Sequence, residues 1–223
     1  ILSRISWNKS MKWGDYNLFW GRPLKSILCV FDCKILNFNF SHLKSSNITF
    51  IDKELEEKTK AFNSFKSYNS FFKSIGIIID QERRQSFISN EIIKLSNKKK
   101  LKINLKKNLL EEITNIVEKP KILFCEFDQK YLMIPKEILI ITMQNHQKYF
   151  PTFDNKENLT NNFIVIADKK DPKGFVKLGN ERVIEARLSD AEFFWKRNRS
   201  QNLVKQISKL KNINYFKGLG SYF

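Results

Sequence analysis

The chain has 223 residues, 42% of them hydrophobic and 20 of them Phe, enough for one large domain, or one plus a fragment, with a substantial core. Lys and Arg number 40 against 23 Asp and Glu, a net charge of +17 that favours a polyanionic partner, because clustered cations gain free energy by displacing phosphate counterions. Its 3 Cys form no CxxC pair and have no His cluster beside them, and no apolar run approaches ~20 residues, so a disulfide framework, a zinc site and a membrane-spanning helix are all excluded as expectations.

Near the N-terminus Trp7, Trp13, Trp20 and Arg22 surround a short loop with Gly14 and Gly21. Such tryptophans either pack a loop onto a core or form a platform on which a nucleotide base stacks, and Lys12, Trp13 and Arg22 are the candidates for RNA contact. Leu24 to Phe31 reads as a buried strand or a helix start, and Lys34 to Phe40 alternates as a strand does. Ser67 to Asp80 carries a short helix and then Gly76 to Ile79 as a strand. Asp80 is placed to cap a helix from Gln81 to Leu95, which runs into the lysine-rich Asn97 to Lys102, a solvated loop with phosphate contact as its minor reading.

Leu109, Leu110, Ile113, Ile116 and Val117 form a helical apolar stripe that Pro120 ends. Lys121 to Phe127 is a strand, Pro135 opens a helix that runs to Tyr149, and Asn162 to Ala167 is a central strand. Asp168 to Lys177 is a polar turn, whose carboxylates Asp168 and Asp171 read as solvated. Gly179-Asn180 reads as a break and cap, opening a helix with Val183, Ile184, Leu188, Ala191, Phe194 and Trp195 on one face. Arg182, Glu185, Ser189, Glu192 and Lys196 share the opposite face, and Arg187 and Asp190 are placed to pair while partly buried. A boundary falls near Asn198 to Gln201, before a last helix from Leu203 to Leu210. There are no internal repeats, and strands mixed with helices without a strict βαβ alternation argue α+β or mixed α/β.

In Met143-Gln-Asn-His-Gln-Lys-Tyr-Phe-Pro151, His146, Gln147 and Lys148 can offer donors to RNA phosphate or ribose, with Tyr149 or Phe150 stacking on a base. The structural alternative has His146 bonding to backbone at a helix C-terminus. No partner for a catalytic His stands at a recognisable spacing, His42 has no motif around it, and no phosphate-cradling or dinucleotide Gly pattern is present. The abundance of Lys, Asn, Ile and Phe also matches an A/T-rich coding bias, to which about half of the basic excess is assigned.

Four blocks together resemble one family, the β subunit of the bacterial heterotetrameric glycyl-tRNA synthetase. They are Lys9-Ser-Met-Lys-Trp-Gly-Asp15 with Arg22-Pro23, Asn108 to Pro120 (NLLEEITNIVEKP), Pro135 to Asp154 (PKEILIITMQNHQKYFPTFD), and Gly179 to Trp195 (GNERVIEARLSDAEFFW), in the family's order. Within Asn47 to Gln81, where the family shows a Gly-His-basic-Phe tetrad, Ile48-Thr-Phe-Ile-Asp52 stands instead. The chain, which opens on Ile1, reads as a piece of that subunit. The resemblance implies an editing-domain-like α+β fold similar to that of the phenylalanyl-tRNA synthetase β subunit over residues 1–198. A linker and the start of a helical HD-like domain would occupy residues 199–223.

The resemblance also implies a cytoplasmic heterotetramer of two α and two β subunits that glycylates glycine tRNA. Chemistry with ATP and Mg would belong to α, with no catalytic residue, cofactor or metal on this chain. The residues expected to touch tRNA are Lys12, Trp13, Arg22, His146, Gln147, Lys148, Tyr149, Arg182 and Arg187. The competing readings are an editing-type hydrolase domain, for which no residue set announces a water-holding pocket, and a purely structural scaffold. A sieve that catches smaller non-cognate amino acids has nothing smaller than glycine to catch.

Overall fold

A computed structural model describes residues 2–51, 58–216, 218 and 220–222. Asp52, at the end of the stretch where the family tetrad is missing, lies outside the described residues. The chain divides into two compact units, Ile1–Ile79 and Asp80–Phe223. It is mixed α/β.

The first unit is built from short strands. They are β1 (Met11–Lys12), β2 (Phe19–Trp20), β3 (Ile27–Leu28), β4 (Val30–Phe31), β5 (Lys34–Ile35), β6 (Asn39–Phe40), β7 (Leu43–Ser46), β8 (Ile48–Phe50) and β9 (Thr59–Ala61), followed by helix α1 (Phe65–Ser74). β3 runs parallel to β7, which pairs antiparallel with β6. The expected continuous strand from Lys34 to Phe40 is broken, because β5 folds back on β4 through Asp32 and Cys33, at φ 46° and 59°. Two consecutive positive φ values are the signature of the tight hairpin turn whose twist matches that of its strands. Buried Ser45 ties the break together, donating to Leu36 O at 2.6 Å and accepting from Phe38 N at 2.8 Å. Gly76 to Ile79, expected as a strand, is irregular backbone. The core of this unit is largely aromatic, with Phe62 and Phe72 buried and Tyr68 and Phe71 packed on them at ring distances of 4.6–5.8 Å.

The second unit is a sheet between two layers of helix. Its elements are α2 (Gln81–Lys98), β10 (Lys102–Ile103), α3 (Lys107–Ile116), β11 (Lys121–Glu126), α4 (Lys136–Ile141), β12 (Phe150–Phe153), β13 (Leu159–Ala167), α5 (Phe175–Ser200) and α6 (Leu203–Gln206). The strands pair antiparallel in the order β10-β12-β13-β11. Strand side chains alternate between faces. Cys125, Phe163 and Val165 therefore meet Leu139, Met143, Tyr149, Ile184 and Leu188 on one side. Phe150 and Ile164 meet Ile88, Ile92, Leu109, Ile113 and Val117 on the other. Helices cover both faces, which is why Ile122 to Cys125 in β11 and Phe163 to Ala167 in β13 are continuous apolar runs rather than alternating ones. Each large side chain so buried contributes roughly 1.5–3 kcal/mol.

The cap expected at Asp80 is present, its Oδ1 accepting from Arg83 N at 2.8 Å. The helix that Pro135 opens does not reach Tyr149. It passes from α4 into a single π-helical turn over Thr142–His146 and ends at Gln147. Ile116, placed on the helical apolar stripe, is 61% exposed.

Candidate nucleic-acid interface

The helix carrying the last sequence block starts earlier than its glycine suggests. Gly174, at φ 73°, turns the chain into α5, and the Asp171 carboxylate caps it by accepting from Val176 N at 3.0 Å and Lys177 N at 2.8 Å. Asp168 accepts from Glu118 N and Lys119 N, both at 2.7 Å. Asp171 is thus a helix cap and Asp168 ties down the loop after α3, rather than both belonging to a merely solvated turn.

Gly179 and Asn180, expected as the start of the helix, lie inside it. The Asn180 amide donates to Val176 O at 2.7 Å, and its Oδ1 accepts from the Tyr149 hydroxyl at 2.7 Å. Ile184 and Leu188 are fully buried and Trp195 packs against the same core, but Val183 and Phe194 are 44% and 55% exposed. Successive helical residues differ by about 100°, so Val183 cannot share the centre of the seam with Ile184. Glu181 takes the place on that seam, accepting from Glu126 N on the edge strand β11 at 2.9 Å. Arg187 and Asp190 are both exposed, so the partly buried pair expected of them is absent.

The residues expected to meet tRNA are distributed over both units. In the first unit Lys12 and Arg22 are exposed, while Trp13 is half-buried with its Nε1 donating to Trp20 O at 2.9 Å. Trp13, Tyr16, Trp20 and His42 line an apolar cavity of about 210 Å³, where Tyr16 and His42 stack at 3.7 Å. In the second unit His146 is exposed at the end of the π-turn, with Gln147 and Lys148 half-buried after it. Lys148 adopts φ 60° and pairs through Nζ with Glu112 at 2.9 Å. A left-handed residue here completes the helix C-terminus, with Tyr149 N bonding back to Met143 O at 2.9 Å.

Tyr149 is not available to a base. It is 5% exposed, its ring stacks on Phe163 at 5.0 Å, and burial, with the nearby Cys125 thiol, pushes its hydroxyl up to about 12. Phe150, in β12, is fully buried against α2 and α3. Arg182 and Arg187 are exposed on α5, but Arg182 borders a cavity of about 520 Å³ with Glu126, Asp128, Glu181 and Glu185, whose charge opposes a phosphate. Among the described residues no group of three or more His, Cys, Asp or Glu is placed to hold a metal ion. Among the described residues, too, no helix is long and apolar enough to cross a membrane.

Two residues that organise this region escaped the sequence pattern. Asp171 caps α5 from within a turn, and Gln144 is a buried polar side chain. The signal for the first was an acid shortly before a helix, Asp171 ahead of Phe175; the second left none.

This is a mixed α/β chain with exposed cations in both of its units. Across residues 1–223 it matches the family described as Glycyl-tRNA synthetase beta subunit. It is 35% identical over 221 residues to the glycine–tRNA ligase beta subunit of Rickettsia akari (strain Hartford), covering 99% of this chain and 33% of that protein. It is 36% identical over 221 residues to the same subunit of Rickettsia bellii (strain OSU 85-389), covering 99% of this chain and 34% of the relative. The chain belongs to the glycyl-tRNA synthetase β-subunit family. It spans about a third of the length of the curated relatives it matches.

Proposed function

We propose that this chain is part of the β subunit of a glycine–tRNA ligase, where it contributes tRNA binding and assembly with a catalytic α subunit. The match to the family over all 223 residues carries the proposal. The net charge of +17 and the exposed Lys12, Arg22, His146 and Arg187 support contact with tRNA phosphate. ATP and Mg act on the α subunit, within a cytoplasmic assembly of two α and two β chains. Residues 1–198 belong to an editing-domain-like fold similar to that of the phenylalanyl-tRNA synthetase β subunit, and 199–223 lead into an HD-like helical domain.

Two assays test this. Glycine-dependent ATP–pyrophosphate exchange is expected to be absent from the purified chain and to appear when α subunit is supplied. Competition binding is expected to favour a glycine tRNA transcript over an unrelated one. Exchange by the chain alone overturns the division of labour, and equal failure of both tRNAs to bind overturns the tRNA role.

A further inference from the structure

Behind the Lys148 turn, a cavity of about 450 Å³ separates the first turn of α3 from the π-turn over Thr142–His146. Three features meet in it. The first is the N-terminus of α3, a helix of 10 residues with no side-chain cap. The first bond of its ladder is Leu110 N to Lys106 O at 3.0 Å, so the N–H groups of Lys107, Asn108 and Leu109 precede the ladder, on residues that line the cavity. Such an end carries a partial positive charge.

The second feature is cationic. Lys106, Lys107 and Lys148 border the cavity against one acid, Glu112, which pairs with Lys148. Lys107 shares its charge with Glu111 at 3.9 Å, and Lys106 is exposed.

The third is Gln144. It is 95% buried, at 5% exposure, and lines the same cavity. No described residue bonds its side-chain amide, and no fully enclosed side-chain polar atom among the described residues lacks a partner, so this amide keeps some exposure on a residue that lines the cavity.

An uncapped helix end, lysines on both sides and a buried free amide converge on the chemistry of a phosphate oxygen. We propose that this cavity is a binding site for one backbone phosphate of RNA, held by the N–H groups at the start of α3, by Lys106 and Lys148, and by the Gln144 amide. The choice of RNA over free phosphate rests on the tRNA-binding role proposed above and on the +17 net charge.

The test has two arms, both on the whole chain. In the first, the ¹⁵N-labelled protein is titrated with inorganic phosphate, with chloride at matched ionic strength as control. Saturable shifts of the Asn108 and Leu109 amides and the Gln144 side chain are expected with phosphate alone, and their absence overturns the site. In the second, tRNA binding is measured across a salt series for wild type, Lys106→Gln and Gln144→Met, the last keeping the side-chain volume while removing its donors. Weaker binding to every tRNA is expected, with a log–log salt slope lower by about 1 for Lys106→Gln. Wild-type binding that neither variant weakens overturns this site and leaves the tRNA role standing. No wild-type binding overturns both, and phosphate shifts would then mark an anion site not used for RNA.

Discussion

The seam of α5 is tested by comparing Leu188→Ala with Val183→Ala. Leu188 is fully buried among Tyr149, Phe163 and Ile184, whereas Val183 is 44% exposed. Leu→Ala removes three carbons, worth about 2.4 kcal/mol at ~0.8 kcal/mol per buried methylene. The cavity left in a core with helices packed on the sheet raises the expected loss to roughly 3–4 kcal/mol. Val→Ala removes two carbons from a site already half in water, so its loss is below about 1 kcal/mol. Urea unfolding followed by circular dichroism reads both changes, as a lower midpoint at constant slope. Equal losses for the two variants would refute the helix register, since a seam centred on Val183 would turn Leu188 away from the sheet.

Other outcomes follow from the same geometry. Trp195→Ala is expected to cost about 1.5–3 kcal/mol in the same unfolding assay, below a fully buried tryptophan, because the ring packs against the core only in part and carries Arg199 over its face at 5.1 Å. Gly179→Ala is expected to raise stability by about 0.5–1 kcal/mol, since Gly179 lies inside α5 and an added Cβ meets nothing within 4 Å. With a thiol reagent at pH 8, exposed Cys33 is expected to react first, half-buried Cys29 later, and Cys125 only on unfolding. Burial, then the Glu181 charge, pushes the Cys125 thiol up to about 12, so fast labelling there would contradict its packing. Desolvation raises the Asp171 carboxyl, but the backbone N–H groups of Lys177, Val176, Phe175 and Gly174 together hold it below the usual carboxylate range. A folded value below the unfolded one gives stability that is present above about pH 4 and lost as pH falls through the folded value. Asp171→Asn is therefore expected to flatten the acid limb of the stability curve, and an unchanged limb would count against the cap.

Much of the second unit was legible in the sequence because its strands are covered on both faces. KILFCEF and NFIVIA are dense apolar runs, and β11 and β13 fall on them. Asp80 announced α2, because an N-cap acts within one turn of its own residue. The start of α5 was hidden for the opposite reason. Its cap, Asp171, acts across a turn, whereas Gly179 and Asn180 imitate a helix start while lying in the helix. Asn180 serves Tyr149, 31 residues away, a contact no local pattern carries. The apolar face of α5 was read too broadly, because periodicity admits Val183 and Phe194 but packing selects Ile184, Leu188 and Trp195. In the first unit, strands of two residues with a left-handed turn at Asp32-Cys33 fall below the length at which alternation is readable.

In the candidate site, Lys12, Arg22 and His146 are exposed, as an RNA contact requires. Tyr149 is not, because an aromatic next to a buried strand is drawn into the core. Gln144 was invisible, since nothing in a string marks a polar side chain that packing will bury.

The most direct test of the tRNA-binding role is equilibrium binding of the whole chain to a glycine tRNA transcript from low to physiological salt, with an unrelated tRNA beside it. A linear log–log fall with a slope of several units, and tighter binding of the glycine tRNA, is the expected result, the slope being about 0.7–0.9 per phosphate neutralised. No binding at low salt, or a slope near zero, would contradict it and leave a scaffold whose charge does not meet RNA.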